Sequence, residues 1–360
     1  MSQTVSISVI IPFYNAQEHI IQCLENVLKQ NFKENFEIIM IDDASEDNSL
    51  DLIKSFKKSN IFTYSLSKNS GPSAARNLGL KKAKGDYIFF LDVDDTIEQN
   101  TLKTLYDVLN EKNYDLIFSD KKWVENSKNL RKNIFDYPSD QEFKNSDFNE
   151  ILLNRFNDPI STGKFFGLTG RLIKRSIIVK NKIFFEENLR YLEDDTFMWD
   201  ILANIKSAKY VHAQLYSYYV YPNVNTALSE GINKGFPINN FKIVREHIKA
   251  SLKKRQLSEK DITIVSDQGF IFFIISALIS YSRSIIQGKV DLKDGKKMRK
   301  KMIKEILTDP EVSKAIKSYN RSSKESFWIP LAIKWKSRII LELACDKRAR
   351  FILKMRKKNS

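Results

Sequence analysis

The chain has 360 residues, 42% of them hydrophobic and 29% charged, with a formal net charge of +15; that is enough apolar material for a core, and disorder is excluded. Its two cysteines, Cys23 and Cys345, lie far apart, and its three histidines form no HxxxH pair, which excludes a disulfide framework, a cysteine-rich zinc module and a histidine-based zinc hydrolase. Residues 1–160 carry 19 Lys and Arg against 25 Asp and Glu, and residues 161–360 carry 40 against 19, so an acidic first half precedes a basic second half.

Residues 5–120 alternate strand and helix. Val5 to Ile11, closed by Pro12, reads as a buried strand, and residues 17–29 place Ile20, Ile21, Leu24, Val27 and Leu28 at helical spacing. Glu37 to Ile41 is a second strand ending at Asp42-Asp43, Asp47 to Lys57 a second helix, and Ile61 to Leu66 a third strand. Gly71-Pro72-Ser73 opens a helix that runs to Ala83, with proline suited to its first turn. Tyr87 to Leu91 then runs into Asp92-Val93-Asp94-Asp95, before a helix over 100–110 and a strand over 114–118. Repeated β-α-β units with apolar strands predict an α/β fold, an open and mostly parallel sheet with helices on both faces. Ligands of such sheets bind beyond the carboxyl ends of the strands, where Tyr14-Asn15, Asp42-Asp43 and Asp92 to Asp95 fall. Residues 121–160 read as a polar, irregular surface insertion. Order returns over 165–225, around Glu193-Asp194-Asp195, and from about 235 onward the pattern is helical. Within that region 262–286 is a very apolar helix, and 328–343 is read as one helix with Trp328, Leu331, Trp335, Ile339 and Leu343 along a stripe.

Three carboxylates in four residues, Asp92, Asp94 and Asp95, repel one another unless a cation intervenes, and hard oxygen ligands without Cys or His suit Mg²⁺ or Mn²⁺ completed by substrate phosphates. A helix cap accounts for one of these acids, not for three. Asp42-Asp43 reads either as an acceptor for a base or ribose or as turn and cap acids. Arg76, in the first turns of its helix, meets either phosphate and the acidic cluster or solvent. Glu193-Asp194-Asp195, flanked by Tyr191, Leu192, Phe197 and Trp199, reads either as a general base with a raised pKa or as an acidic helix start.

Taken in order, these segments resemble the family 2 glycosyltransferases with their GT-A, Rossmann-like fold. The resemblance is carried by Val9-Ile10-Ile11-Pro12-Phe13-Tyr14-Asn15, Ile41-Asp42-Asp43-Ala44-Ser45, Asn69 to Asn77, Gly85 to Asp95 and Glu193-Asp194-Asp195-Thr196-Phe197. It implies a GT-A domain over 1–225, with a nucleotide-sugar part at about 1–120 and an acceptor part at about 160–225; the basic helical region over 226–360 lies outside the resemblance and is read from composition as a membrane-surface or acceptor contact. It also implies donor contacts from Pro12, Tyr14, Asn15, Asp42, Asp43, Arg76, Asp92 and Asp94, a Mn²⁺ or Mg²⁺ on Asp92, Asp94 and Asp95, Asp194 as catalytic base and Glu193 as its orienting partner. The implied reaction is inverting transfer from a nucleotide-diphosphate sugar, UDP being the family's commonest nucleotide, to a glycan or lipid-linked acceptor in capsule, exopolysaccharide or lipopolysaccharide synthesis. Val93 and Ala44 depart mildly from the family pattern and remove no ligand group.

Two rivals stand beside this reading. Asp92-Val93-Asp94-Asp95-Thr96 also fits the Asp-x-Asp-x-Thr motif of haloacid-dehalogenase-type phosphohydrolases, which leaves residues 5–85 unexplained. The other is a non-catalytic protein of membrane surfaces or polyanions. No nucleic-acid-binding motif is present. Tryptophans beside Lys334, Lys336 and Arg338 suit an interfacial helix on an anionic inner leaflet, and equally the aromatic core of a small helical domain. The longest apolar run, Phe270 to Tyr281, is shorter than the roughly 20 residues of a spanning helix, and no signal pattern opens the chain. The expectation is therefore a cytoplasmic protein, peripheral on the inner face of the membrane.

Overall fold

The computed structural model describes residues 5–125, 128–131, 135, 137–189, 191–220, 238–321 and 325–359. The chain forms two compact units: the described parts of 5–149, 164–189 and 193–220 make the first, and those of 150–163, 191–192 and 238–359 the second. The boundary expected at 225 lies outside the described residues.

The first unit follows the β-α-β rhythm: β1 (Ile7–Phe13), α1 (Ile20–Leu28), β2 (Phe36–Asp42), α2 (Ser49–Lys54), β3 (Ile61–Ser65), α3 (Pro72–Lys82), β4 (Tyr87–Phe90), β5 (Thr96–Ile97), α4 (Thr101–Asp107), β6 (Leu116–Glu125), β7 (Lys128–Arg131), β8 (Gln141–Lys144), α5 (Asn145–Leu153), β9 (Arg171–Lys174), α6 (Arg175–Asn181), α7 (Glu193–Asn204) and β10 (Ser207–Tyr219). The sheet order is β3-β2-β1-β4-β9-β6-β10-β5, with β7 on β6 and β8 on β10. Strands β1, β2, β3 and β4 run parallel, as do β6 and β10, whereas β9 is antiparallel to both β4 and β6.

All residues of β1 and β4 are buried, which is why these strands read as continuous apolar runs. The register pairs Phe13 with Asp42, and Leu91 N–H donates to the Ile10 carbonyl, so the carboxyl ends of β1, β2 and β4 lie side by side. At their opposite end Gly85 closes on β1. A Cβ there would stand 2.5 Å from the Ser8 nitrogen, and Gly85 N–H donates to Ser8 Oγ, which donates in turn to buried Glu37.

Part of the expected surface insertion is ordered. Strand β8 pairs with β10, and Phe135, Phe148 and Leu152 are buried. The side chains of β8 alternate between half-buried and exposed with only Phe143 apolar, so the strand exists through backbone pairing that hydrophobic periodicity does not show.

The second unit contains α8 (Ile238–Lys254), α9 (Glu259–Ile286), α10 (Leu292–Thr308), α11 (Pro310–Ala315), α12 (Trp328–Lys334) and α13 (Arg338–Asn359). Helix α9 starts at Ser258, whose hydroxyl accepts from Asp261 N–H, and it packs against α8, α10, α11 and α13. It is long and apolar enough to cross a membrane, contrary to the expectation drawn from its shorter apolar run, but most of that stretch is buried inside the structure. Buried Arg245 pairs with Asp267 of α9 and with Glu311 at 2.9 Å. The single helix expected over 328–343 is broken. Lys336 adopts φ 54°, and Ser337 N–H donates to the Ala332 carbonyl, a Schellman stop with lysine where glycine is usual.

In the first unit Phe185 and Phe197 stack at 4.1 Å between centroids, and Phe90 meets both edge-on at 5.4 and 5.8 Å. This trio ties α7 to the strand that ends at Asp92. We predict that Phe197→Ala destabilises the protein by about 3–5 kcal/mol in denaturant unfolding, the usual cost of an emptied aromatic core site. A loss below about 1 kcal/mol would show that the trio is not a mainstay of the unit.

Candidate active site

The carboxyl ends of β1 and β2 carry loops fastened to each other. Asn15, with φ 48°, donates its N–H to Ser45 Oγ at 3.0 Å and accepts from Glu46 N–H on its side-chain oxygen at 2.9 Å. Ala16 N–H donates to Ser49 Oγ and Gln17 N–H to Asp47. Asp42 accepts from Ser45 N–H at 2.8 Å. Asp43 receives Ser70 N–H on one oxygen at 2.7 Å and Gly71 N–H on the other at 2.8 Å, bracing the loop that starts α3. Both acids are buried, and the contacts they make here fasten loops; their expected part in donor binding falls to whichever lone pairs remain. Pro12 is buried beside them and Tyr14 is exposed.

Arg76 stands at the centre. Its side chain is 7% exposed, with one terminal nitrogen 3.0 Å from Asp92 and the other 3.2 Å from Asp194 and 3.8 Å from Glu193. The guanidinium lies over the Phe185 ring, and those carboxylates push its pKa up against the opposing effect of burial. One residue on, the Asn77 side chain donates to the Phe185 carbonyl and accepts from Phe185 N–H, so α3 also fixes the segment leading towards α7. Arg76 thus joins residues more than a hundred positions apart, Asp92 and the pair Glu193-Asp194, at one place.

The three acids after β4 have different surroundings. Asp92 is engaged by Arg76, and its N–H faces the Tyr216 hydroxyl at 3.4 Å. Asp95, expected among the metal ligands, is buried; it accepts from Tyr216 Oη at 2.6 Å and from Tyr219 N–H at 3.0 Å. Burial and the charge of Asp92 push its pKa up to about 8. Asp94 is half-buried and carries no ion pair among the described residues; burial, then Asp92, raises its pKa. No three His, Cys, Asp or Glu side chains converge as a metal cage among the described residues. The donor set fits Mn²⁺ or Mg²⁺ only in the mode where one or two carboxylates, Asp94 with Asp92, hold an ion completed by phosphate oxygens. The places of Tyr216 and Tyr219 in this cluster had no signal in the sequence beyond an aromatic strand.

At the start of α7, Asp194 keeps a side chain 41% exposed, while Glu193 is largely covered. Asp195 accepts from Trp199 Nε1 at 3.1 Å and belongs to the packing of the helix. The surrounding protein raises the pKa of Asp194, with Arg76 opposing. Glu193 is pushed up to about 7, first by burial and then by the Asp194 charge. An accessible carboxylate with a raised pKa, braced by a guanidinium and set against the strand-end acids, is suited to take a proton from a hydroxyl.

Comparison with known proteins names the scaffold. A family model described as Glycosyl transferase family 2 matches residues 8–176. The poly(ribitol-phosphate) beta-N-acetylglucosaminyltransferase TarP of Staphylococcus aureus is 34% identical over 252 residues, which cover 69% of this chain and 72% of TarP. The chain belongs to glycosyl transferase family 2. The poly(ribitol-phosphate) beta-glucosyltransferase of Bacillus spizizenii is 31% identical over 259 residues, 70% of this chain but 38% of that longer protein. The crystal structure of S. aureus TarS 1–349 in complex with UDP-GlcNAc superposes with a TM-score of 0.69 over 96% of this chain and 92% of that one; at 21% identity this shows a shared fold. For a family 2 glycosyltransferase the phosphohydrolase reading lapses, since that motif follows a first strand and Asp92 follows the fourth, already held by Arg76.

Two outcomes are expected of the carboxylate pair. Asp194→Asn leaves donor binding intact and lowers kcat by about 10²–10⁴-fold, the usual contribution of a general base. With Asp194 as the expected base, which accepts a proton only when deprotonated, kcat is expected to fall as pH drops through the titration of the pair, near 7 for Glu193. A pH–rate profile of Glu193→Gln, which removes that neighbouring charge, shows the acid limb moved to lower pH. A profile identical to wild type would detach Glu193 from the site.

Proposed function

We propose that the protein transfers a sugar from a UDP-sugar to a hydroxyl of a phosphate-containing cell-wall polymer, with inversion at the anomeric carbon. The observation that carries this reading is the Arg76 junction, which sets the accessible carboxylate of Asp194 against Asp92 at the end of β4. The nucleotide class is supported by a fold shared with a TarS structure whose name includes UDP-GlcNAc. The names of the TarP and B. spizizenii relatives move the acceptor from the expected capsule, exopolysaccharide or lipopolysaccharide to a poly(polyol phosphate) of the teichoic-acid kind, and the sugar to N-acetylglucosamine or glucose.

In this mechanism the Asp194 carboxylate accepts the acceptor hydroxyl proton while that oxygen bonds to the anomeric carbon. The bond from that carbon to the diphosphate oxygen breaks on the opposite face, and the configuration inverts. Glu193 and Arg76 hold Asp194 in place. Asp94 with Asp92 would hold Mn²⁺ or Mg²⁺, which when bound supplies positive charge to the departing diphosphate. The loops at Tyr14-Asn15 and Asp42-Asp43 shape the nucleoside end, within a donor part at about 1–120, and 160–225 serves the acceptor.

The proposal extends to location, a cytoplasmic enzyme peripheral on the anionic inner face of the membrane. It is supported by Phe327, Trp328, Trp335, Ile339 and Leu343, all exposed, the two tryptophans at 49% and 57%, beside exposed Lys334, Lys336 and Arg338. Deleting the tail is not a clean test, because Leu341, Cys345 and Ala349 of α13 are buried.

Calorimetric titration with UDP, GDP and dTDP, in Mn²⁺ and again in EDTA, tests the donor site. The expected result is metal-dependent binding of UDP, weakened about tenfold or more in Asp94→Asn. Equal UDP affinity in EDTA, or in the variant, would remove the metal from Asp94. In flotation with phosphatidylglycerol vesicles, the double variant Trp328→Ala/Trp335→Ala is expected to bind less than wild type, and equal binding would remove the membrane contact.

A further inference from the structure

Beside the Arg76 junction lie two cations without an ion pair among the described residues. Lys121, on β6, is in register with Tyr216 of β10 and sits 5.2 Å from the centroid of its ring; the Tyr216 hydroxyl holds Asp95. Lys121 Nζ donates to Thr169 Oγ1 at 2.6 Å. Arg171, at the start of β9, is 3% exposed; one terminal nitrogen donates to the Lys164 carbonyl at 2.6 Å, while Nε and Nη1 have no partner. Neither Lys121 nor Arg171 makes an ion pair among the described residues.

Both border one small space. A Cβ built on Gly167 would stand 3.6 Å from Lys121 Nζ and 3.7 Å from the Arg171 terminal nitrogen that also binds the Lys164 carbonyl, while the guanidinium lies over the Phe118 ring. The chain reaches this position because Gly170 adopts φ +75°, where a Cβ would come within 3.3 Å of Tyr216 and 3.5 Å of Lys121. A buried, unpaired cation is costly, and two facing one space repel each other. Burial lowers the pKa of both, and Arg171 lowers that of Lys121 further to about 8. An anion shared between the two would relieve both costs. The nearby acids that act on Lys121, namely Asp95, Asp92 and Asp194, lie beyond ion-pair distance.

We propose that Lys121, backed by Arg171 and lined by Thr169 and Gly167, forms a phosphate-binding site beside the catalytic carboxylates. Lys121 is half-buried and supplies the direct contact, and Arg171 supplies charge from behind. The phosphate belongs either to the donor diphosphate or to a phosphodiester of the acceptor, an assignment of source that rests on the reading under Proposed function.

The test is calorimetry on the full chain with pyrophosphate, UDP and a synthetic ribitol-phosphate trimer, for wild type, Lys121→Met and Lys121→Arg, with folding checked by circular dichroism. Lys121→Met is expected to weaken at least one probe about ten- to hundredfold, the cost of a lost charge-assisted hydrogen bond, and Lys121→Arg to restore part of it. A loss confined to the trimer assigns the acceptor phosphodiester, and a loss for UDP the donor. Wild type that binds pyrophosphate but neither larger probe would uphold the site and overturn the donor and acceptor reading. A folded Lys121→Met with all affinities unchanged, or wild type that binds none of the probes, overturns the site. A second variant needs no folding of Lys121→Met: Gly167→Asp places a carboxylate between the cations, and is expected to raise Tm above that of Gly167→Asn while abolishing probe binding. Equal Tm values for the two would also overturn the site.

Discussion

Everything chemical in the first unit depends on one guanidinium. Arg76 touches Asp92, Glu193 and Asp194, so it joins the acids of two stretches of chain that fold as separate elements. One positive charge against three carboxylates leaves a surplus of negative charge, and Asp94 and Asp95 add to it. Burial first, and this surplus second, raises the pKa values of Asp94, Asp95 and Glu193. The surplus also sets a condition on function. A diphosphate approaching this cluster meets repulsion unless a cation comes with it or waits nearby, which is why the divalent ion proposed on Asp94 and the lysine across Tyr216 would address the same physical need.

The remaining scaffold serves to keep that charge cluster in register. The ends of β1, β2 and β4 are aligned by strand pairing, but their loops are aligned by side chains: Asn15 with Ser45, Ala16 with Ser49, and Asp43 with the backbone of Ser70 and Gly71. Each bond lets a short polar side chain satisfy an orphan backbone group on another loop, so the loops are braced without an apolar core of their own. The Phe90, Phe185 and Phe197 trio does the same beneath Arg76 by packing instead of hydrogen bonding. Polar bracing above and aromatic packing below hold Asp194 and the strand-end acids at fixed separation, the condition the proposed general base would require.

The sequence disclosed those parts whose physics is local. Strands β1, β2 and β4 are legible because burial on both faces demands continuous apolar residues, and the strand-end acids because clustered carboxylates are costly without a purpose. The insertion of antiparallel β9 between β4 and β6 was not legible, since no local pattern encodes which strand a four-residue segment will join. The same holds for β8, made by backbone pairing, and for the stop at Lys336, where lysine takes a conformation usually left to glycine. Among site residues, Arg76 and Asp194 could each be singled out, yet their bond across 118 positions could not be read from either segment alone. The loop-bracing part of Asp43 was hidden for a related reason: a carboxylate suited to ribose is equally suited to two backbone N–H groups.

Lys121 and Arg171 show the limit of pattern reading most sharply, and also why the two kinds of cation near this site are not interchangeable. Arg76 uses the fixed fork of a guanidinium to hold several carboxylates at once, an architectural task that needs rigid geometry. Lys121 is a point charge on a flexible stem with neutral partners, the Thr169 hydroxyl and the Tyr216 ring, and on the proposal made above it can follow a phosphate that arrives and departs. Nothing in Asp120-Lys121-Lys122 distinguishes such a lysine from a solvated one. Only the convergence of β6, β9 and the turn at Gly170 turns it into an unpaired charge facing a second one. A chain that pairs Arg76 with three acids and leaves Lys121 without an ion pair among the described residues divides its cations by task, one to hold the site together and one, on the proposal made above, to meet what enters it.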